Sequence, residues 1–199
     1  MSLFAPDVPA GLLYRDDFIT ADEEAALADA ISSISFSTFE MRGVVAKRRV
    51  AFFGRSYDEG AAQVLPIPEF LFPLRARLAG WLRADPADFA MALINEYTVG
   101  APVGWHRDAP QYAIVAGVSL LSAARMKFRP YVAPNAPKPE RRVATHEIVL
   151  ERRSAYLMTG DSRTRYEHHV PPVDALRYSI TFRTLRSISG RSGSRNENR

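Results

Sequence analysis

Four histidines occur in this 199-residue chain, at positions 106, 146, 168 and 169, and there is no cysteine. Thiolate metal sites, disulfides and cysteine nucleophiles are therefore excluded, and any metal must be held by nitrogen and oxygen donors. His106 and Asp108 stand one residue apart in GWHRD. On an extended segment, residues two apart project to the same face, so an imidazole and a carboxylate can reach one ion from neighbouring rungs. Much later in the chain, EHHVPP offers a second imidazole at His168 or His169. Two imidazoles and one carboxylate on one face form the donor set of non-haem iron(II) sites, with positions left open for cosubstrate and dioxygen. Spacing alone also admits a plainer alternative, in which H-x-D is an ordinary polar pair and His168-His169 is solvated.

The segment RYSITFR puts Arg177, Ser179, Thr181 and Arg183 on one face of a strand and Tyr178, Ile180 and Phe182 on the other. If the polar face points into a barrel, its two arginines need anionic partners, because an unpaired buried charge is costly. Their planar forks suit carboxylates, and two of them suit a dicarboxylate. The alternative is a solvated outer face. Asn95 and Tyr97 in LINEY again share a face, and both can hydrogen-bond a carboxylate or keto oxygen. His146, in RVATHEIVL, sits at strand spacing and reads as structural. Glu167 either orients its neighbour His168 or lies at the surface.

These residues need elements to position them. Residues 1–19 read as an extended lead-in. Thr20 and Glu23 have capping-box spacing ahead of Leu27, Ala30, Ile31 and Ile34, which predicts a helix at about 20–33. A second helix is expected at about 70–83, with Leu71, Leu74, Leu78 and Trp81 or Leu82 inward and Pro73 in its first turns. Residues 35–65 mix aromatics with arginines and suggest short strands or a hairpin. From residue 88 on, FAMALINEY, QYAIVAGVSLL, ARMKFRPYV, RVATHEIVL, RSAYLM, TRYEHHV and LRYSITFRTLR all read as strands, interrupted by a Pro-rich insert at 134–142. The expected class is α+β, mainly β: helices first, then a sandwich or barrel.

Taken together and in this order, LINEY, GWHRD, EHHVPP and RYSITFR resemble the AlkB family of Fe(II)/2-oxoglutarate-dependent dioxygenases. The resemblance implies a double-stranded β-helix (jelly roll) with N-terminal helices packed on it, spanning residues 1–186 as one domain. It further implies a substrate lid at 36–65, a jelly-roll core at 88–186 and a disordered basic tail at 187–199. It assigns the metal ligands to His106, Asp108 and His168, with His169 the weaker match. Its R-x-N-x-x-x-R motif falls on Arg177, Ser179 and Arg183, serine standing where the best-known members carry asparagine. Arg177 would grip the distal carboxylate of 2-oxoglutarate and Arg183 the end nearer the metal, with Asn95 and Tyr97 completing the pocket. The implied cofactor is Fe(II), with 2-oxoglutarate and O2 as cosubstrates. The implied reaction couples formation of succinate and carbon dioxide to hydroxylation of a C–H bond, and an N-methyl group so oxidised leaves as formaldehyde.

The substrate expected from this resemblance is an alkylated nucleobase in DNA or RNA, flipped into the site. Phe53, Arg55 and Tyr57 in the lid, with Trp105 and Tyr112 beside the metal motif, are the candidate substrate contacts. The alternatives are the same chemistry on a protein side chain or small molecule, or a catalytically silent binding module. The formal charge of +4 permits nucleic-acid contact but owes much to the Ser/Gly/Arg-rich C-terminus. No apolar run is long enough for a membrane span and no signal peptide is evident. A cytoplasmic monomer is the expectation.

Overall fold

The computed structural model describes residues 8–41, 44–55, 65–133, 135–136 and 144–186. A short strand β1 (Leu12–Arg15) precedes helix α1 (Ala21–Ser32). Thr20 caps that helix reciprocally: the Glu23 N–H donates to its hydroxyl at 3.2 Å, and its own N–H donates to the Glu23 carboxylate at 2.8 Å. Two otherwise orphaned donors are thereby satisfied, which is why the helix starts here. Strands β2 (Ser37–Met41) and β3 (Val44–Gly54) form a hairpin. Helix α2 (Phe72–Leu82) carries Pro73 in its first turn and buries Leu74 and Leu78, while Trp81 and Leu82 are only partly covered. Then follow β4 (Phe89–Tyr97), β5 (Val103–His106), β6 (Tyr112–Leu120), β7 (Ala124–Pro130), β8 (His146–Leu150) and β9 (Ala155–Met158). A short helix α3 (Gly160–Thr164), β10 (Tyr166–Val170) and β11 (Arg177–Leu185) complete the described chain.

All strand pairs are antiparallel. A seven-stranded sheet has the order β1-β9-β6-β11-β4-β3-β2, and a four-stranded sheet the order β5-β10-β7-β8. The two sheets share a core of Val103, Val115, Met126, Phe128, Leu150, Met158 and Val170. This is the expected jelly roll. Helices α1 and α2 cover the other face of the large sheet, where Leu27, Ile31, Leu71, Leu74 and Leu78 meet Ala51, Phe53, Ala92, Ile94, Ile180 and Phe182. Each such large side chain contributes roughly 1.5–3 kcal/mol relative to exposure. The buried Glu24 ties α1 to two loops, accepting from Leu121 N–H at 2.7 Å and from Arg152 at 2.6 Å.

Period-two alternation in β11 decides everything that follows. Tyr178, Ile180 and Phe182 take the helix side, which leaves Arg177, Ser179, Thr181 and Arg183 facing the space between the sheets. The neighbouring β4 does the same with Ala92 and Ile94 on one side and Met91, Leu93, Asn95 and Tyr97 on the other. The described part of segment 36–65 is the β2–β3 hairpin, and β3 pairs with β4 from Arg49↔Glu96 to Gly54↔Met91. Residues 56–64, the tail 187–199 and most of the Pro-rich insert lie outside the described residues.

Candidate active site

His106 on β5 stands directly opposite His168 on β10, and their ring centroids are 4.2 Å apart. Asp108 follows just beyond the end of β5, with its Oδ2 at 3.7 Å from His168 Nε2. Its other oxygen, Oδ1, accepts from Arg183 Nε at 3.0 Å and Nη2 at 2.7 Å. Oδ2 is buried and has no hydrogen-bond partner. A buried carboxylate oxygen left bare beside two imidazoles is expensive unless a cation satisfies it. Among the described residues no group of three or more His, Cys, Asp or Glu side chains is arranged to hold a metal ion as it stands. His106, Asp108 and His168 are neighbours, and Asp108 is partly turned to Arg183.

The electrostatics match a cation site. Burial, reinforced by His106, pushes His168 down to about 3. Burial lowers His106 as well. Burial would raise Asp108, but Arg183 first, then His168 and His106, hold it well below the usual carboxylate range. His106 Nδ1 lies 2.9 Å from Gly104 O. A carbonyl oxygen only accepts, so Nδ1 carries the proton and Nε2 keeps its lone pair for a metal.

At the other pole, Arg177 is 1% exposed. Its Nε donates to Ser119 Oγ at 2.9 Å, and its guanidinium lies 5.0 Å from the Tyr97 ring centre. Nη1 is buried without a partner. A buried guanidinium nitrogen with nothing to bond calls for an anion. Asn95 and Ser119 flank Ser179 by strand register, and Asn95 Oδ1 accepts from Arg48 Nε at 3.2 Å. One cavity of about 250 Å³ contains both poles. Its apolar walls include Val50, Leu93, Val115, Met126 and Leu150. A small dicarboxylic acid that also chelates a metal fits this pair of demands.

The candidate substrate contacts fare differently. Tyr112 lines the cavity, its ring centre 5.5 Å from the Arg183 guanidinium. Phe53 does not: it is 6% exposed and packed among the helices, because strand alternation sends Phe52 to the cavity rim instead. Trp105 alternates with His106 and faces the outer side of the small sheet, stacked near His169 at 5.1 Å and under Arg129 at 4.3 Å. Arg55 is exposed and does not line the cavity. Tyr57 lies outside the described residues. His169 bonds through Nδ1 to Val103 O, Glu167 pairs with Arg129, and His146 packs edge-on against Tyr166. None of these three lines the cavity. Arg48, Ser119 and Tyr156 went unnoticed in the sequence as individual site residues. They reach the site from neighbouring strands, a relation no local spacing encodes.

A family model described as the 2OG-Fe(II) oxygenase superfamily matches residues 53–183. The chain belongs to the 2OG-Fe(II) oxygenase superfamily. It is 24% identical over 201 residues to the alkylated DNA repair protein ALKBH8 homolog of Arabidopsis thaliana, a match covering 90% of this chain and 56% of the relative. It is 28% identical over 178 residues to the Mus musculus tRNA (carboxymethyluridine(34)-5-O)-methyltransferase ALKBH8, covering 83% of this chain and 25% of that protein. The oxygenase thus spans about half of the first relative and a quarter of the second. By fold it is similar to OsALKBH1, with a TM-score of 0.62, 17% identity, and coverage of 91% of this chain and 99% of the other. It is also similar to a Pseudomonas putida prolyl-4-hydroxylase, with a TM-score of 0.58, 15% identity, and coverage of 88% and 93%. No helix of the described residues is long and apolar enough to cross a membrane.

Proposed function

We propose that this oxygenase demethylates alkylated bases in DNA or RNA, with His106, Asp108 and His168 as its metal ligands and Arg177 as the anchor of 2-oxoglutarate. The observation that carries the substrate reading is the rim of the cavity. Phe52, 44% exposed, lines the same cavity as Arg48, Arg107 and the three ligands. Arg107 in turn stacks 3.5 Å from the ring centre of Tyr131. Aromatic faces stack on bases and guanidinium groups neutralise phosphates, so such a rim suits a nucleotide. The names of the Arabidopsis and mouse relatives, which refer to alkylated DNA repair and to tRNA, point the same way.

His106, Asp108 and His168 would hold iron(II), which when bound would supply the redox chemistry of dioxygen activation. The chain's own residues do the rest. Arg177, fixed by Ser119, holds a carboxylate in place. Arg183 keeps Asp108 oriented and ionised. The apolar walls exclude water around the reacting groups. The methyl group, once hydroxylated, leaves as formaldehyde and the base nitrogen regains a hydrogen. In this reading residues 36–65 act as the substrate lid on one catalytic domain. In the same reading the enzyme works as a cytoplasmic monomer.

Methylated oligonucleotides incubated with protein, iron(II) and 2-oxoglutarate should release formaldehyde. Unmodified oligonucleotides, and the His106→Ala variant, should release none. Succinate formed with a peptide or small molecule but not with any methylated oligonucleotide would reject the nucleic-acid reading.

A further inference from the structure

The two residues that flank Asp108 are both fastened to α3, the short helix that leads into β10 and His168. Arg163 on α3 donates through Nη2 to the Ala109 carbonyl. Arg107 donates through Nη1 to the Thr164 carbonyl at 3.3 Å. The two bonds run in opposite directions, so α3 holds the segment carrying Asp108 on both sides of it. The Ala109 carbonyl also accepts from Tyr112 N–H at 3.1 Å, which closes a turn with Pro110 at its second position. Helix α3 is itself anchored. Thr159 N–H donates to Gly11 O at 2.9 Å, and Ser162 N–H to Ala10 O at 2.8 Å. Gly11 has a φ of +85°, and a Cβ there would lie 2.2 Å from Thr159 O, so only glycine admits this approach.

Arg163 is 4% exposed and does not line the cavity. Its Nε is buried with no hydrogen-bond partner. Burying a guanidinium against a neutral carbonyl is costly, so packing alone does not explain this arginine. Burial works against its charge, and the Asp108 carboxylate is the group that most offsets this. We infer that Arg163 is a positioning residue for the metal centre: it fixes the Ala109 turn and thereby sets where Asp108 stands relative to His106 and His168. Arg183 grips the Asp108 side chain, whereas Arg163 fixes the backbone that carries it. The inference rests on His106, Asp108 and His168 being the metal ligands.

The test uses two readouts besides turnover, both on Arg163→Met, which keeps a long stem and removes the donors. Amide hydrogen exchange of the metal-free protein should quicken at Ala109, Gln111 and Tyr112, while β4 and β11 exchange as in wild type. Iron(II) affinity, measured by anaerobic equilibrium dialysis, should fall about tenfold, the lower end of what groups that orient a metal ligand are worth. Arg163→Lys restores a donor on a flexible stem and should recover part of that affinity. Wild-type iron(II) affinity in Arg163→Met overturns the inference. So does faster exchange spread evenly over both sheets, which marks a merely structural role. If Arg163→Met does not fold, the same measurements on Arg163→Lys decide. A local rise in exchange with weaker iron(II) binding supports the inference, and wild-type values overturn it. Asp108→Ala separates the two levels. If it loses iron(II) while Arg163→Met does not, the ligand assignment stands and only Arg163 falls. If Asp108→Ala binds iron(II) as wild type does, the ligand assignment and the inference fall together.

Discussion

Two donors of Arg183, Nε and Nη2, converge on Oδ1 of Asp108 at 3.0 and 2.7 Å, so the carboxylate presents only Oδ2 to His168. One residue of the terminal strand thereby sets the rotamer and the charge of a residue in a loop far away in sequence. Groups that orient a metal ligand are commonly worth 10–100-fold in metal affinity. Arg183→Gln should therefore lower iron(II) affinity by about that factor, measured by equilibrium dialysis. An unchanged affinity would show that Asp108 is positioned by something else.

The ligands should differ in what their loss does to the fold. Asp108→Ala leaves Arg183, 8% exposed, without its anionic partner. Breaking such a buried pair costs roughly 3–5 kcal/mol. His106→Ala, by contrast, removes no counter-ion. Both variants should lose iron, but only Asp108→Ala should unfold at markedly lower denaturant concentration. Matching midpoints for the two variants would contradict this account.

Acid should act on the metal-free protein through His168. Its folded pKa is depressed to about 3, chiefly by burial, against about 6.5 when unfolded. Between those values the unfolded state binds the extra proton, so stability is present above about pH 6.5 and declines as pH falls toward 3. Above that window the imidazoles are already neutral and Asp108 is ionised. Metal uptake at pH 7 should then release almost no protons, unlike most metal sites. Calorimetry in buffers of different ionisation enthalpy measures this, and release of a full proton per metal would refute it.

Ser119 holds Arg177 Nε at 2.9 Å. Ser119→Ala removes that acceptor and leaves a second guanidinium nitrogen unsatisfied in a buried place, at a cost of about 1–3 kcal/mol. Lower thermal stability with recovery on adding 2-oxoglutarate is the expected result, because the ligand binds only the folded state. Stability equal to wild type would mean that Ser119 does not position Arg177.

Phe52 and Phe53 make opposite predictions from adjacent positions. Phe53→Ala empties part of the core beneath the helices and should cost about 3–5 kcal/mol. Phe52→Ala, at the cavity rim, should leave stability nearly unchanged and weaken methylated oligonucleotide binding in a fluorescence anisotropy titration. The assignment of faces on β3 fails if the two effects are exchanged.

The sequence by itself determined helices α1 and α2, most of the strands from β4 on and the pairing of chemistry along each strand. Capping chemistry at Thr20 and Glu23 and the alternation in RYSITFR are local, and local physics does not depend on what the rest of the chain does. His106 with Asp108, Arg177 with Arg183 and Asn95 with Tyr97 were legible for the same reason: residues an even number of positions apart share a face wherever the strand is placed. Tertiary structure alone decided which face points inward. Phe52 rather than Phe53 reaches the rim, and Trp105 turns away from the site, because a slip of one residue reverses every side chain on a strand. Only the tertiary structure joins Ser119 to Arg177, Arg183 to Asp108 and Arg163 to Ala109. Those relations run across strands, between residues whose distance in sequence carries no trace of their contact.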